Sequence, residues 1–226
     1  DKDLIIKYLK EFGYGLKSIS KKLRDDKSIV LVAVGKLPHN ILYVNKKFRK
    51  DRDVLRIILS KKGRKSMSID VFKILDSKYK KNKKFAIEMI KNIGQKVFFC
   101  LDKKLINDKD VIKAHLNLIY ESLDLDRLFS KLNKKYKSNK KFVVSILKRE
   151  SSKDLFGESK IYPKINPKLK NDHDVVTAAL DYKWKTLKIM SNKIKNNNKL
   201  LLNIMKKNKE RGLYQYLKPE FKKQKE

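Results

Sequence analysis

The sequence predicts an all-α protein, an α-solenoid of about eight tandem helix–turn–helix repeats of 25–33 residues. Three observations favour this fold. Hydrophobic residues make up 41% of the 226 residues, which is enough for a folded core. Only 7 Gly and 4 Pro are present, whereas a protein of many short strands would need more turn residues. Finally, one short pattern of polar and apolar residues recurs along the whole chain.

The recurring pattern begins with an acidic or amide residue, and residues 1–226 are predicted to form a single helical-repeat domain. The eight unit starts are Asp1, Asp26, Asp51, Asn82, Asp108, Asn139, Asp172 and Asn197. The fourth, eighth and ninth positions of each unit are apolar, with His115 as the exception. A capping residue followed by this spacing predicts a helix with one buried face, here called helix A.

A second apolar pattern follows in every unit. Its three anchors have the spacing i, i+3, i+7, as in Leu16, Ile19 and Leu23, which predicts a second helix, helix B. Pro163 and Pro167 argue against a regular helix B in the sixth unit. One such hairpin cannot bury its apolar face alone, but stacked neighbours can, and stacked helical units form a solenoid.

The charge of the chain points to a polyanionic partner. Lys and Arg number 59 against 25 Asp and Glu, which gives a net charge of +34. A domain with such an excess attracts nucleic acid first and an anionic membrane surface second. Only eight of these basic residues are Arg, and the chain is also rich in Asn and Ile. Compositional drift in an AT-rich genome would produce the same mixture, so both explanations stay open.

Some of the basic residues are periodic and form two columns around the last anchor of helix B. The first basic column, which precedes that anchor, is Lys22, Lys47, Lys78, Lys104, Lys135, Lys168 and Lys193. The second basic column, which follows the anchor, is Arg24, Arg49, Lys80, Lys137, Lys170 and Lys195, with Lys222 in the last unit. Glu220 interrupts the first column and Ile106 the second.

Two explanations fit these columns. Stacked units would align the side chains in two rows that follow a phosphate backbone, so all thirteen residues up to Lys195 are candidate nucleic-acid-binding residues. Alternatively, cations near a helix C-terminus interact with the helix dipole, each contributing about 0.3–1 kcal/mol. Both explanations stay open, and both can hold at once.

Several aromatic residues lie outside the apolar columns. They are Tyr14, Tyr43, Tyr120, Tyr182, Trp184 and Tyr216. Packing between helices is the expected role of most of them, and stacking on unpaired bases is the alternative.

No catalytic or metal-binding pattern stands out, so we expect neither an enzyme nor a cofactor. Pairs such as Asp51 and Asp53 resemble metal ligands, but they recur where helix A begins, and Asn replaces Asp in three units. We therefore expect helix capping. His115 is expected in the core, His39 in a turn and His173 in a capping stretch. Cys100 is expected to be a buried thiol.

A family resemblance supports the helical interpretation. The stretch LKSISKKLRDDKSIVLVAV from Leu16 to Val34 and the stretch NDHDVVTAALDYKWKTLKIMSNKIK from Asn171 carry it. They resemble the short helical repeats of domain of unknown function 4116. Two of the units described above would make one domain of that family, so the resemblance extends over nearly the whole chain and is weakest in the sixth unit. It implies a helical-repeat module without catalytic residues.

Two functions are compatible with these features. The first is a structural nucleic-acid-binding protein, most naturally an RNA-binding component of a ribosome-type ribonucleoprotein. The second is a protein–protein interaction scaffold that binds an acidic partner without nucleic acid.

Cys100 is the only cysteine, which excludes a disulfide framework, and no apolar run suggests a membrane span. We expect an intracellular location, in the cytoplasm or an organelle matrix, with a virion as alternative. The first residue is Asp rather than Met, so we expect a fragment or a processed form.

Overall fold

The computed structural model describes residues 1–60, 63, 67–118, 122–151, 157–181, 183–208 and 212–217. Within these ranges every regular element is helical and there is no strand, which confirms the all-α class. The chain divides into two compact units, Asp1–Leu118 and Ile119–Glu226.

Eight α-helices of the described part begin at the positions predicted for helix A. They are α1 (Lys2–Phe12), α2 (Lys27–Lys36), α3 (Arg52–Ile58), α4 (Lys83–Ile93), α5 (Lys109–Leu116), α6 (Lys140–Ser151), α7 (His173–Leu180) and α8 (Asn198–Asn208). In the first compact unit α1 packs beside α2, α2 beside α3, and α4 beside α5. In the second compact unit α6 packs beside α7.

The residue before each of these helices caps it. Asp51 Oδ1, for example, accepts hydrogen bonds from the backbone N–H groups of Asp53 (3.0 Å) and Val54 (3.2 Å). Asn82 Oδ1 accepts one from Phe85 N–H at 2.9 Å. The other capping residues are Asp1, Asp26, Asp108, Asn139, Asp172 and Asn197. The interpretation of these side chains as helix caps is confirmed.

The predicted helix B is not one continuous helix. It consists of two short helical segments, here called B1 and B2. The B1 segments are Leu16–Ser18, Pro38–Leu42, Ile69–Ile74, Gln95–Cys100, Ser122–Lys131, Tyr162–Lys164, Trp184–Ile189 and Gly212–Tyr216. The B2 segments are Lys21–Arg24, Lys46–Arg49, Ser77–Lys80, Lys103–Ile106, Lys134–Lys137, Pro167–Leu169 and Asn192–Lys195.

A second set of capping residues explains the break between B1 and B2. The middle anchor is extended, with ψ of 151° at Ile19 and 162° at Leu101. The next residue has a short polar side chain that accepts a backbone N–H from B2. These residues are Ser20, Asn45, Asp76, Asp102, Asn133 and Asn166. Such side chains offer the backbone an alternative to a continuous helix, so the helix restarts at each of them.

The sixth unit follows the same plan in spite of its prolines. Pro163 lies in the first turn of its B1 segment, and Pro167 is the first residue of its B2 segment. Proline is tolerated at these positions because the first N–H groups of a helix have no partner within the helix. The two prolines therefore reinforce the break that the other units make with capping residues alone.

The first two units are held together by a buried amide. Asn40 is 4% exposed, and its Nδ2 donates to the carbonyls of Gly13 and Ala33, each at 2.8 Å. The chain turns at Gly13, where φ is 74° and a Cβ would lie 2.4 Å from the Lys36 side chain. Glycine satisfies both constraints, so the ends of α1 and α2 can approach each other closely.

Candidate polyanion-binding surface

The first basic column lies on the B2 segments. All seven of its lysine side chains are exposed. Lys47 Nζ is 5.0 Å from the centre of the Phe48 ring, and Lys78 Nζ is 5.2 Å from that of Tyr79. Among the described residues no carboxylate lies within ion-pair distance of any lysine in this column. These ammonium groups are therefore accessible to an external anion.

The second basic column has a different environment, because its side chains are half-buried. Lys137 Nζ donates to the carbonyl of Ser130 at 3.1 Å, and Lys80 Nζ donates to that of Lys73. Both carbonyls belong to the last turn of the preceding B1 segment. A cation at this place satisfies a carbonyl that the short helix leaves unpaired.

Other members of the second column also make contacts within the fold. Arg24 Nη1 donates to the carbonyl of Tyr43 in the next unit at 3.2 Å. Lys170 Nζ is 5.9 Å from the centre of the Tyr162 ring. The two columns therefore differ in the structure. The lysines of the first column are exposed, whereas several members of the second contact carbonyl groups or an aromatic ring of the protein itself. Polyanion binding by either column stays a prediction.

Further lysines are engaged by the Asp-x-Asp pairs. Lys27, the first residue of α2, contacts Asp51 (3.0 Å) and Asp53 (2.6 Å) at the start of α3. The same arrangement joins Lys2 to Asp26, Lys83 to Asp108 and Asp110, and Lys140 to Asp172 and Asp174. The hydrogen bond from Lys27 holds the pKa of Asp51 below its ordinary value. The pairs at the starts of α3, α5 and α7, and Asp26 alone at the start of α2, thus cap one helix and bind the helix before it.

This second role of the aspartates was missed in the sequence. The available signal was a lysine in the second position of the units, as in Lys2, Lys27, Lys83 and Lys140. From the sequence alone, a lysine beside a capping residue is interpreted as a solvated surface charge, because its partner lies on the neighbouring helix. No cluster of His, Cys, Asp or Glu in the described ranges has the arrangement of a metal site.

A family match covers the first repeat unit and most of the second. Residues 1–44 match the family Domain of unknown function (DUF4116). The DUF4116 match includes α1, the following B1 and B2 segments, α2 and the B1 segment of the second unit. It confirms the resemblance carried by Leu16 to Val34, and its description assigns no activity. No curated protein and no solved structure matches the chain.

The histidine and cysteine predictions have mixed outcomes. His115 lies in the core as predicted, with its ring centre 4.3 Å from that of Phe98. His39 lies in a B1 segment rather than a turn, and its Nδ1 is 3.3 Å from Ser68 Oγ. Cys100 is half-exposed, so the prediction of a buried thiol was wrong. Val97 and Phe98 of the same B1 segment are fully buried, whereas Cys100, its last residue, keeps part of its surface exposed.

Three of the aromatic residues outside the columns, Tyr14, Tyr43 and Trp184, have described side chains, and each of them contacts other side chains. Tyr43 Oη lies 3.4 Å from His39 Nε2, and Lys185 Nζ lies 5.5 Å from the Trp184 ring centre. Tyr14 is 58% exposed and contacts two other rings of the first unit. Tyr120, Tyr182, Glu220 and Lys222, and the side chain of Tyr216, lie outside the described residues. Base stacking by any of these rings stays a prediction.

A buried polar cluster lies outside the DUF4116 match and was not predicted. Glu150 is 1% exposed and accepts hydrogen bonds from Ser159 Oγ (2.5 Å) and Lys160 N–H (2.8 Å). Burial raises the pKa of Glu150, although these bonds and the positive charge of Lys183 oppose that effect. Because Ser159 and Lys183 are also buried, the cluster joins Ser159 and Lys160 to the end of α6 and does not present a nucleophile to solvent.

No helix in the described part of the chain has both the length and the apolar character needed to cross a membrane.

Proposed function

We propose that the protein is a solenoid of eight helical units that binds the phosphate backbone of RNA through its first basic column. The observation that supports this proposal is the repetition of seven exposed lysines at the same position of successive B2 segments. A structural role in a ribonucleoprotein particle, such as a ribosome inside the cell, would suit a protein of this kind.

The chemistry of the column favours phosphate over base recognition. Lysine carries a compact charge that attracts phosphate from many directions, whereas bidentate reading of base edges favours arginine. The exposed ammonium groups would displace counterions from the nucleic acid, and this release makes affinity depend steeply on salt. The net charge of +34 would attract RNA over a longer range. Sequence selectivity is expected to be low.

The alternative function is a scaffold for an acidic protein. A groove in the second compact unit is the candidate surface for such a partner, and its charge supports this function less well. This groove, of about 860 Å³, lies beside α6 and α7. Lys141 and Lys148 line this groove together with Asp174 and Asp181, so its charge is mixed. A groove of mixed charge suits neither a strongly acidic partner nor a uniform polyanion. The exposed lysine column is therefore the better candidate surface.

The test is binding to a mixed structured RNA over a salt series. The column variant carries Lys47→Gln, Lys78→Gln and Lys104→Gln, three exposed lysines of the first column. The control variant carries Lys36→Gln, Lys91→Gln and Lys113→Gln, three exposed lysines in the last turns of helices A. Both variants lose the same charge. Circular dichroism verifies that each one folds.

We expect the column variant to bind RNA with a shallower salt dependence. Loss of three phosphate contacts would reduce the slope of log K against log salt by about 2 to 3. The control variant should change the slope by less than about 1. Equal slopes for the two variants would refute the column as the binding surface. Preference of the wild type for heparin or an acidic protein over RNA would refute RNA as the ligand.

A further inference from the structure

The first helix has an exposed apolar face. Leu4 is 66% exposed, Tyr8 40% and Phe12 44%, and these residues are spaced four apart along α1. The rings of Tyr8 and Phe12 have their centres 4.9 Å apart. Aromatic and aliphatic groups that form a contiguous exposed patch mark an interaction surface.

The positions that correspond to Leu4 and Tyr8 are buried in the units that follow, or half-buried at Phe85 and Phe142. Leu37, which corresponds to Phe12, is instead 39% exposed. Ile29 and Ala33 of α2, which correspond to Leu4 and Tyr8, have no exposed surface. The helix α2 packs between α1 and α3, and its two sides are both covered. The helix α1 packs against α2 on one side, and Leu4, Tyr8 and Phe12 stay exposed beside this contact. A further helix packed on the apolar face of α1 would therefore continue the series of contacts that joins α1, α2 and α3.

Charge supports the same comparison. Asp51 and Asp53, at the start of α3, bind Lys27 of the preceding helix. Asp1 and Asp3 occupy the corresponding positions at the start of α1, and no cation of the described residues pairs with them. The first unit thus has both parts of the contact, an apolar stripe and an acidic pair, that the third, fifth and seventh units use to hold the helix before them.

We propose that this N-terminal face, formed by Asp1, Asp3, Leu4, Tyr8 and Phe12, docks helix A of a further repeat unit of the same kind. The partner helix carries a lysine in its second position, which binds Asp1 and Asp3 as Lys27 binds Asp51 and Asp53. Its apolar residues cover Leu4, Tyr8 and Phe12.

A second copy of this chain fits the face less well. The last described helix A, α8, begins with Asn198, so it lacks the lysine that the acidic pair would bind. Stacking of one copy end to end on another would therefore leave Asp1 and Asp3 without a cation. A unit with the sequence of the second unit supplies both the lysine and the apolar surface.

The experiment extends the full chain before Asp1 by an additional copy of residues 26–50. In the folded extended protein, the added lysine equivalent to Lys27 is expected to lie close in space to Asp1 and Asp3. The copy joins Asp1 in the same way as residues 26–50 join Asp51. The matched control extension carries Lys27→Glu in the added copy. A second control combines the extension with Leu4→Gln and Tyr8→Gln. Thermal unfolding and hydrogen exchange of the α1 amides are measured for each protein, and sedimentation velocity for the unextended chain.

The extension is expected to raise the melting temperature by at least about 4 °C, since burial of the face stabilises the folded state. Exchange of the α1 amides should slow at least about tenfold. Both effects should shrink with Lys27→Glu in the copy and vanish with Leu4→Gln and Tyr8→Gln. Unchanged exchange in α1, or an equal gain in every extended protein, would overturn the proposal. Dimerisation of the unextended chain that Tyr8→Gln abolishes would instead assign the face to a second copy. RNA binding by the unextended chain is independent of all these outcomes.

Discussion

Lysines in this protein differ in environment, and three of them illustrate how the contact made by the ammonium group distinguishes one from another. Lys135 of the first basic column is exposed. Lys137, two residues later, binds the carbonyl of Ser130. Lys140 binds Asp172 and Asp174. The three residues lie within one short stretch and carry the same charge, so composition alone cannot assign their roles. A count of basic residues therefore overstates the number available to a ligand.

The contrast between Lys137 and Lys135 gives a direct test. Lys137→Met keeps the apolar stem but removes the donor, and we expect a loss of about 1 kcal/mol in the free energy of unfolding. Lys135→Met should change it by less than about 0.5 kcal/mol, because this side chain is exposed. Urea denaturation measures both values. Equal effects of the two substitutions would show that the second column does not stabilise the fold.

Every described helix A and most of the B2 segments begin at a short polar side chain that caps the helix. The sequence shows the caps of helix A clearly, because a long apolar pattern follows each of them. The caps of the B2 segments are less visible, since residues such as Asn45 and Asp102 stand inside a spacing that reads as one helix. Whether a polar residue within such a spacing interrupts the helix depends on whether the tertiary contacts favour an extended anchor before it.

The cap of α4 offers a test without an ion pair. Asn82→Ala removes the acceptor of the Phe85 N–H, and we expect it to reduce the free energy of unfolding by about 1 kcal/mol. Asn82→Asp keeps the acceptor and should retain nearly all the stability. Chemical denaturation of the two variants distinguishes a lost cap from a general intolerance of substitution at this position. If Asn82→Asp destabilises as much as Asn82→Ala, capping is not the cause.

At the scale of the whole molecule, ion pairs link consecutive helices A. Lys2, Lys27, Lys83 and Lys140 each contact an aspartate at the start of the next helix. These contacts are partly exposed, so each one contributes little by itself. Their recurrence at one position of the unit fixes which helix ends lie side by side. A protein with a net charge of +34 also gains from placing its few aspartates beside lysines.

Acid should weaken this set of contacts. Hydrogen bonds from Lys27 lower the pKa of Asp51, and those from Lys140 lower the pKa of Asp174. A group whose pKa is lower in the folded state stabilises the fold above its unfolded pKa, near 3.8, and loses that contribution as the pH falls further. We therefore expect the melting temperature to fall as the pH is lowered from 5 to about 2.

Lys27→Gln separates these pairs from other effects of acid. It should lower the melting temperature at pH 7 and make the acid dependence shallower, because the pKa of Asp51 then returns towards its ordinary value. Lys36→Gln, which changes the charge equally at an exposed site, should leave the acid dependence unchanged. Parallel acid curves for wild type and Lys27→Gln would show that this ion pair does not contribute.

The all-α class and the start of every helix A were predictable from the residues alone, because capping and apolar periodicity are local properties of a few neighbouring residues. So were the two basic columns and the core position of His115. The split of helix B, the bond from Lys137 to a carbonyl beside an exposed Lys135, and the exposure of Leu4 and Tyr8 became visible in the three-dimensional fold. These properties depend on contacts between segments that are far apart in the sequence. The repeated pattern of apolar residues is the same in a unit whose helix is covered by a neighbour and in a unit whose helix is exposed.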